Sequence, residues 1–168
     1  MFGLMSRRPM TDPSLLIPLL TLAGAMLSEK QQVSSSVCQL TSAGGDLILV
    51  KPSLAFVIHP STVRVGINQV TRIQVLGLSQ PLDVRESIRV VVSKLGGNWV
   101  NLHVPGSWLD LGSGVVQVLV APSHVISVEP STYRLNKMNR PLTDVFMVQG
   151  YRLQVIEDVS TVARLFGR

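Results

Sequence analysis

The sequence is short of cysteine, aromatic residues and charge, and each shortage removes a class of explanation. Cys38 is the single cysteine, so neither an intrachain disulfide nor a cysteine-based zinc site can be built. One thiol is compatible with a reducing compartment without establishing one. Charged residues make up 15% of the chain, well below the ~25% usual in soluble proteins. With 46% hydrophobic residues, so little charge fits two pictures: a Val-rich β domain with a large core, or a surface covered by partners rather than water. The net charge is +5, and eleven of the fifteen cations are arginine, the residue suited to planar, bidentate contacts at interfaces. They are scattered, with no basic run of five or six, and aromatic residues are 5% of the chain. A specific nucleic-acid surface therefore lacks its footprint.

A long hydrophobic run is missing too. Leu15 to Leu27 is almost wholly apolar, but it is thirteen residues long and interrupted by Pro18, whereas a spanning helix needs ~20 residues. Asp12 and Pro13 offer an N-cap and a first helical turn, so the segment is expected to be a short N-terminal helix. It would dock on its own domain or on a neighbouring subunit, with Leu15, Leu16, Leu19 and Leu20 as its contact residues. The rival reading is a secretory signal: Arg7 and Arg8, an apolar stretch, and Ala23-Gly24-Ala25 as a cleavage site. Asp12 and Pro13, which part the arginines from the apolar run, oppose it.

Catalytic patterns are equally scarce. His59, His103 and His124 lie far apart in sequence, with no acidic residue at ligand spacing, and read as structural histidines. No Gly-x-Ser-x-Gly elbow occurs; Gly112-Ser113-Gly114 precedes a strand and reads as a hairpin turn. Cys38 has no local base to activate it. Asp83 with Glu86, and Glu157 with Asp158, fall at element starts, where acidic residues cap helices or solvate turns. The glycine pairs Gly44-Gly45 and Gly96-Gly97 lack the Lys and Ser/Thr of a phosphate loop. No catalytic residue, cofactor or metal ligand is assigned, and an enzyme is not expected.

What the sequence has is a repeat. Val50–Val65 (VKPSLAFVIHPSTVRV) and Val120–Leu135 (VAPSHVISVEPSTYRL) agree without a gap at seven of sixteen positions, among them the two Pro-Ser pairs. Around the two copies, short apolar or alternating runs recur at roughly ten-residue intervals, broken by Gly and Pro. Strands are expected before and after Ala43–Asp46, over Leu54–Ile58 and Thr62–Val65 with a break at His59-Pro60, and over Gln69–Leu78. Further strands are expected over Ser87–Lys94, Trp99–Val104 and Val115–Val120. Helical periodicity returns at Val159–Phe166, capped by Glu157 or Asp158 and closed by Gly167. This pattern argues a mainly β sandwich or barrel, with a short helix at each end. The expected divisions are 1–36, the apolar helix and linker; 37–122, a β module; and 123–168, a second, partial β module.

Phe56 to Leu78 resembles the opening of bacterial Ig-like domains: strand, Pro-Ser turn, short strand, glycine turn, alternating strand. The resemblance implies an Ig-like sandwich whose second copy takes its missing strands from the N-terminal segment or a neighbouring subunit. The alternative is one barrel of two pseudo-symmetric halves. Tyr151 to Gly167 is similar to the first strand and first helix of a LysM motif, with Ile156-Glu157 where the family has Gly-Asp and without the second helix and strand. Both families supply structural modules of phage particles. Together they imply a non-enzymatic subunit of a virion (phage tail, baseplate or capsid). Its partners would be other protein subunits in a homo- or hetero-oligomer, with no cofactor, no specific nucleic acid and no spanning segment. Trp99, Trp108, Arg134 and Arg140 are the expected contact residues besides the N-terminal leucines. The competing expectation is a secreted or periplasmic Ig-like or LysM-like binding module; the third is an enzyme whose site is assembled from distant residues.

Overall fold

Proline and serine recur in the repeat because each pair builds a specific backbone feature, twice. The computed structural model describes residues 36–135 and 140–167; Leu15, Leu16, Leu19, Leu20 and the expected N-terminal helix lie outside the described residues. In both copies the first Pro-Ser opens a single 3₁₀ turn, Pro52–Leu54 and Pro122–His124, where proline's missing amide costs nothing. The second Pro-Ser-Thr lies inside a long strand, β3 (Ala55–Val65) or β8 (Val125–Leu135). There the register slips between Pro60 and Arg64, and between Pro130 and Arg134. Proline is tolerated in a sheet at such a bulge, and Ser61 supports it: its hydroxyl accepts from the Val63 amide at 3.1 Å. The strand expected to break at Pro60 is therefore continuous, because the bulge absorbs the missing donor.

The duplicated unit is larger than the sequence match. It runs hairpin, 3₁₀ turn, hairpin, short strand, helix. The first copy is β1 (Cys38–Thr41), β2 (Leu47–Val50), β3, β4 (Asn68–Val75), β5 (Leu82–Val84) and α1 (Ile88–Leu95). The second is β6 (Val100–Pro105), β7 (Val115–Val120), β8, β9 (Arg140–Met147), β10 (Arg152–Val155) and α2 (Val159–Leu165). The chain is thus mainly β with two short helices, and the C-terminal helix falls where the sequence places it. Its N-cap is Asp158, whose carboxylate accepts from the Thr161 amide at 2.9 Å. Because β6 and β7 belong to the second copy, its strands all come from this chain. Tyr151–Gly167 holds the counterpart of β5–α1.

Ser87–Lys94, expected as a strand, is instead the body of α1. The triplet Val90-Val91-Val92 suggests a strand, but Ile88, Val91, Val92 and Leu95 stand at i, i+3, i+4 and i+7, one face of a helix. Val91 and Leu95 are buried while Val90 is 42% exposed, so packing of that stripe overrides the low helix propensity of valine.

The sheets join the copies. One five-stranded antiparallel sheet runs β5-β4-β3-β7-β6, with β1-β2 and β10-β9-β8 as the other two. The junction is the pairing of β3 with β7, Val57 opposite Val120 and Ile58 opposite Leu119. A one-residue bulge at Phe56 re-aims that side chain. Phe56 and Val57 join the second copy's core of Val100, Leu102, Val118, Val145, Met147 and Val155. In return Leu119 and Trp99 pack on the first copy's core of Leu40, Ile58, Ile73, Val84 and Val91. β3 is buried on both faces from Ala55 to His59, which is why its first four residues, Ala55 to Ile58, read as an unbroken apolar run.

Each copy is closed by one carboxylate. Glu86, between β5 and α1, accepts from the Thr41 amide at 3.0 and 3.1 Å. Glu157, between β10 and α2, accepts from the His103 amide at 3.0 and 3.2 Å. The backbone carbonyl of each glutamate accepts from a buried threonine, Thr71 at 2.7 Å and Thr143 at 2.6 Å. Lys94 Nζ joins the first clasp, donating to Glu86 at 3.3 Å and to the Gln39 carbonyl at 2.9 Å. Burial works against the charge on Glu86, but the Thr41 amide and Lys94 outweigh it and hold the carboxyl below its ordinary range.

A lowered folded-state pKa means stability that is present above the unfolded value of 4.5 and is lost as pH falls through the lower, folded value. Glu86→Ala is expected to cost about 2 kcal/mol at pH 7, the scale of a hydrogen bond to a charged group. Glu86→Gln, which keeps an acceptor oxygen, should cost less and flatten the acid limb of stability. Urea unfolding between about pH 3 and pH 7, spanning the carboxylate range, measures both. Phe56→Ala should cost about 3–5 kcal/mol in the same assay, since it empties a site in the second copy's core from the first copy's strand.

Candidate interaction surface

The sequence-derived contact residues fall at different places in the fold. Trp99 stands between the two cores, half-buried and in contact with both. Its indole Nε1 donates to the Gly96 carbonyl at 2.7 Å, which ties the residue to the end of α1. Trp108 is 49% exposed, on a 3₁₀ turn, Gly106–Leu109, in the β6–β7 connection. The turn is held tightly. The Gly106 amide donates to the Gly114 carbonyl at 2.6 Å and the Leu111 amide to the Gly106 carbonyl at 2.8 Å. A Cβ on Gly106 would lie 2.9 Å from the Gly112 carbonyl oxygen, so only glycine allows this approach. Trp108 thereby stands in a fixed position beside a cleft of about 100 Å³ that Leu109, Tyr151, Arg152 and Leu153 also line. Arg134 and Arg140 lie at the end of the β8–β9 hairpin, their backbones in register with Pro141 and Leu135. The fold gathers neither tryptophan with these arginines into one patch through any shared strand register.

The histidines are engaged within the fold. His59 is buried, with Nδ1 donating to the Pro60 carbonyl at 2.7 Å, and desolvation lowers its pKa, which favours the neutral ring. His103 Nδ1 donates to Glu157 Oε1 at 2.7 Å. The ring of His124 stacks on Phe56 at 5.9 Å between centroids. Burial raises the pKa of the Cys38 thiol, which keeps it protonated and poorly nucleophilic. Among the described residues no group of three His, Cys, Asp or Glu side chains has the arrangement to hold a metal ion.

A wider cleft of about 420 Å³ lies between the copies, lined by Phe56, Gln74, Gly77, Leu78, Gln149 and Tyr151 among others. Tyr151 meets Phe56 edge to face at 5.6 Å, and burial raises the pKa of its phenol. The lining offers amides, a neutral phenol and apolar surface, which suits hydrogen bonding and packing rather than proton transfer.

Sequence reasoning placed a strand at β2, after the Ala43–Asp46 turn, but did not single out its residues as a contact surface. Leu47 and Leu49 are 67% and 62% exposed, and two residues apart they share one face of the strand. Among the described residues β2 pairs with β1 alone. The signal was there: Leu47-Ile48-Leu49-Val50 is apolar at both parities, which marks a strand that expects cover on both faces. Exposed Ile67 at the tip of the β3–β4 hairpin (93%) and Ile126 on β8 (62%) add to the apolar surface.

No protein-family model, curated protein or solved structure matches this chain. No described helix is long and apolar enough to cross a membrane.

Trp99→Ala is expected to destabilise the protein by about 2–3 kcal/mol, toward the lower end of the range for tryptophan truncation. Trp108→Ala should change stability by less than about 0.5 kcal/mol. Denaturant titration separates the two, and acrylamide should quench Trp108 far more than Trp99.

Proposed function

We propose that this chain is a non-enzymatic assembly subunit, working by burying apolar strand edges and rigidly held side chains against other protein subunits. The observation that carries the reading is the exposed pair Leu47 and Leu49 on edge strand β2. An apolar edge strand left in water templates pairing with other chains, and monomeric proteins blunt such edges with charge, proline or cover. β2 itself, Leu47–Val50, carries no charged residue, and Asp46 and Lys51 flank it in sequence. The pinned Trp108 turn is a second contact element of the kind that forms binding hot spots. The sequence resemblances favour a virion, as a tail, baseplate or capsid component, as the setting.

The test is the behaviour of the protein in its native source. Sedimentation with a particle far larger than the 18.3 kDa chain, at an intact mass that retains the N-terminal segment, is the expected result. An 18.3 kDa species sedimenting alone, or a mass short by the first 25 or so residues in an exported fraction, would overturn it in favour of a secreted binding module.

A further inference from the structure

The direction in which β2 points its backbone groups follows from its hairpin. At the turn the Ser42 amide donates to the Asp46 carbonyl at 2.8 Å, and the register then sets Leu40 opposite Ile48 and Cys38 opposite Val50. Hydrogen-bonded pairs alternate along an antiparallel ladder. Asp46, Ile48 and Val50 therefore bond inward to β1, while the N–H and C=O of Leu47 and Leu49 point to the other edge.

The outward groups of β1 are engaged. The Thr41 amide donates to Glu86, the Thr41 carbonyl accepts from the Arg85 amide, and the Gln39 carbonyl accepts from Lys94. Those of Leu47 and Leu49 meet no strand among the described residues. In the second copy the same edge is filled. Leu119 on β7, the counterpart of Leu49, stands opposite Ile58 of β3. Leu119 is half-buried, whereas Leu49 is 62% exposed. The side chains divide as the backbone does: Ile48 and Val50 pack in the first copy's core, and Leu47 and Leu49 lie on the opposite, exposed face.

We infer that two copies of this chain pair β2 to β2 about a two-fold axis through Ile48, forming a four-stranded antiparallel sheet β1-β2-β2-β1. In this register Leu47 of each copy stands opposite Leu49 of the partner subunit. Both residues carry outward-pointing groups, so each Leu47–Leu49 pair exchanges both of its N–H···O bonds. The axis is normal to the sheet and keeps its faces, so the four leucines gather into one apolar cluster. No like charges are opposed, since Asp46 meets Val50 and Lys51 meets Gly45. The occupant is a second copy because the strand complements itself in bonding phase, in apolar face and in charge. The contact is isologous and closes at the dimer. The inference deepens the assembly reading and rests on it, making a dimer the building unit.

The experiment is sedimentation velocity of the purified full chain from about 1 to 100 µM, the range in which modest interfaces fill, with Leu49→Lys alongside. Leu49 is exposed, so the variant should keep the wild-type circular dichroism and melting temperature. The wild type is expected to dimerise, and Leu49→Lys to need at least about tenfold higher concentration. The register is read by oxidising Leu47→Cys, Leu49→Cys and their equimolar mixture. The mixture should cross-link, because the two positions face each other at about 5.5 Å between Cα atoms. Neither variant alone should do so to the same extent, since like positions lie more than about 7 Å apart. A wild type that stays monomeric overturns the inference, as does a dimer that Leu49→Lys leaves intact, or a mixture that cross-links no more than its components. If the wild type is monomeric while the native-source protein sediments in a large particle, assembly stands with a different partner; if both are monomeric, the two readings fall together.

Discussion

Each copy of the repeat depends on one glutamate. A strand, a corner and a helix are hard to hold closed when the strand is only three or four residues long, as β5 and β10 are. Glu86 and Glu157 solve this by reaching from the corner to a backbone amide of the neighbouring hairpin strand. The backbone also bonds there: the Arg85 amide donates to the Thr41 carbonyl, and the Ile156 amide to the His103 carbonyl, each at 2.9 Å. The carboxylate satisfies an amide that would otherwise be left at the end of the pairing, and an unsatisfied buried donor is costly. The helices α1 and α2 then lie over cores whose rims are already fixed.

The constraint that joins the copies is of another kind. Two ladder positions between β3 and β7 are a thin connection, yet the cores on either side are each completed by residues of the other copy. Phe56 and Val57 go one way, Leu119 and Trp99 the other. Because a domain core is close-packed, such exchanged side chains couple the copies more firmly than the ladder alone.

Much of the β architecture was legible. The Pro-Ser pairs, the turn at Ala43–Asp46, the alternation in Gln69–Leu78 and the capped helix after Asp158 each have a local cause. The failures share a different one. Helix α1 was hidden because three consecutive valines match a strand template and its four-residue stripe is decided by packing. The strand through Pro60 was hidden because a bulge, which needs a partner strand to exist, has no signature in one sequence beyond the motif itself. The two glutamate clasps span 45 and 54 residues, a separation at which spacing carries no information. The roles of Trp99 and Trp108 differ for the same reason: one packs on two cores and the other stands half-exposed on a turn, and both begin as a tryptophan near a glycine.

The copies also differ where a charged pair faces a polar one. In the first, Arg72 on β4 stands opposite Asp83 on β5 and donates to it through Nε and Nη2, each at 2.8 Å. In the second, the matching positions hold Asp144 on β9 and Gln154 on β10, and the balancing cation is Arg152, at 2.6 Å from Asp144. Tandem repeats risk misfolding by exchanging equivalent strands while the chain collapses. Here an exchange would set Asp144 against Asp83, two carboxylates in a poorly solvated site, and leave Arg72 facing an amide. The altered polarity thus disfavours the wrong strand partner at the moment of pairing, before either core has closed.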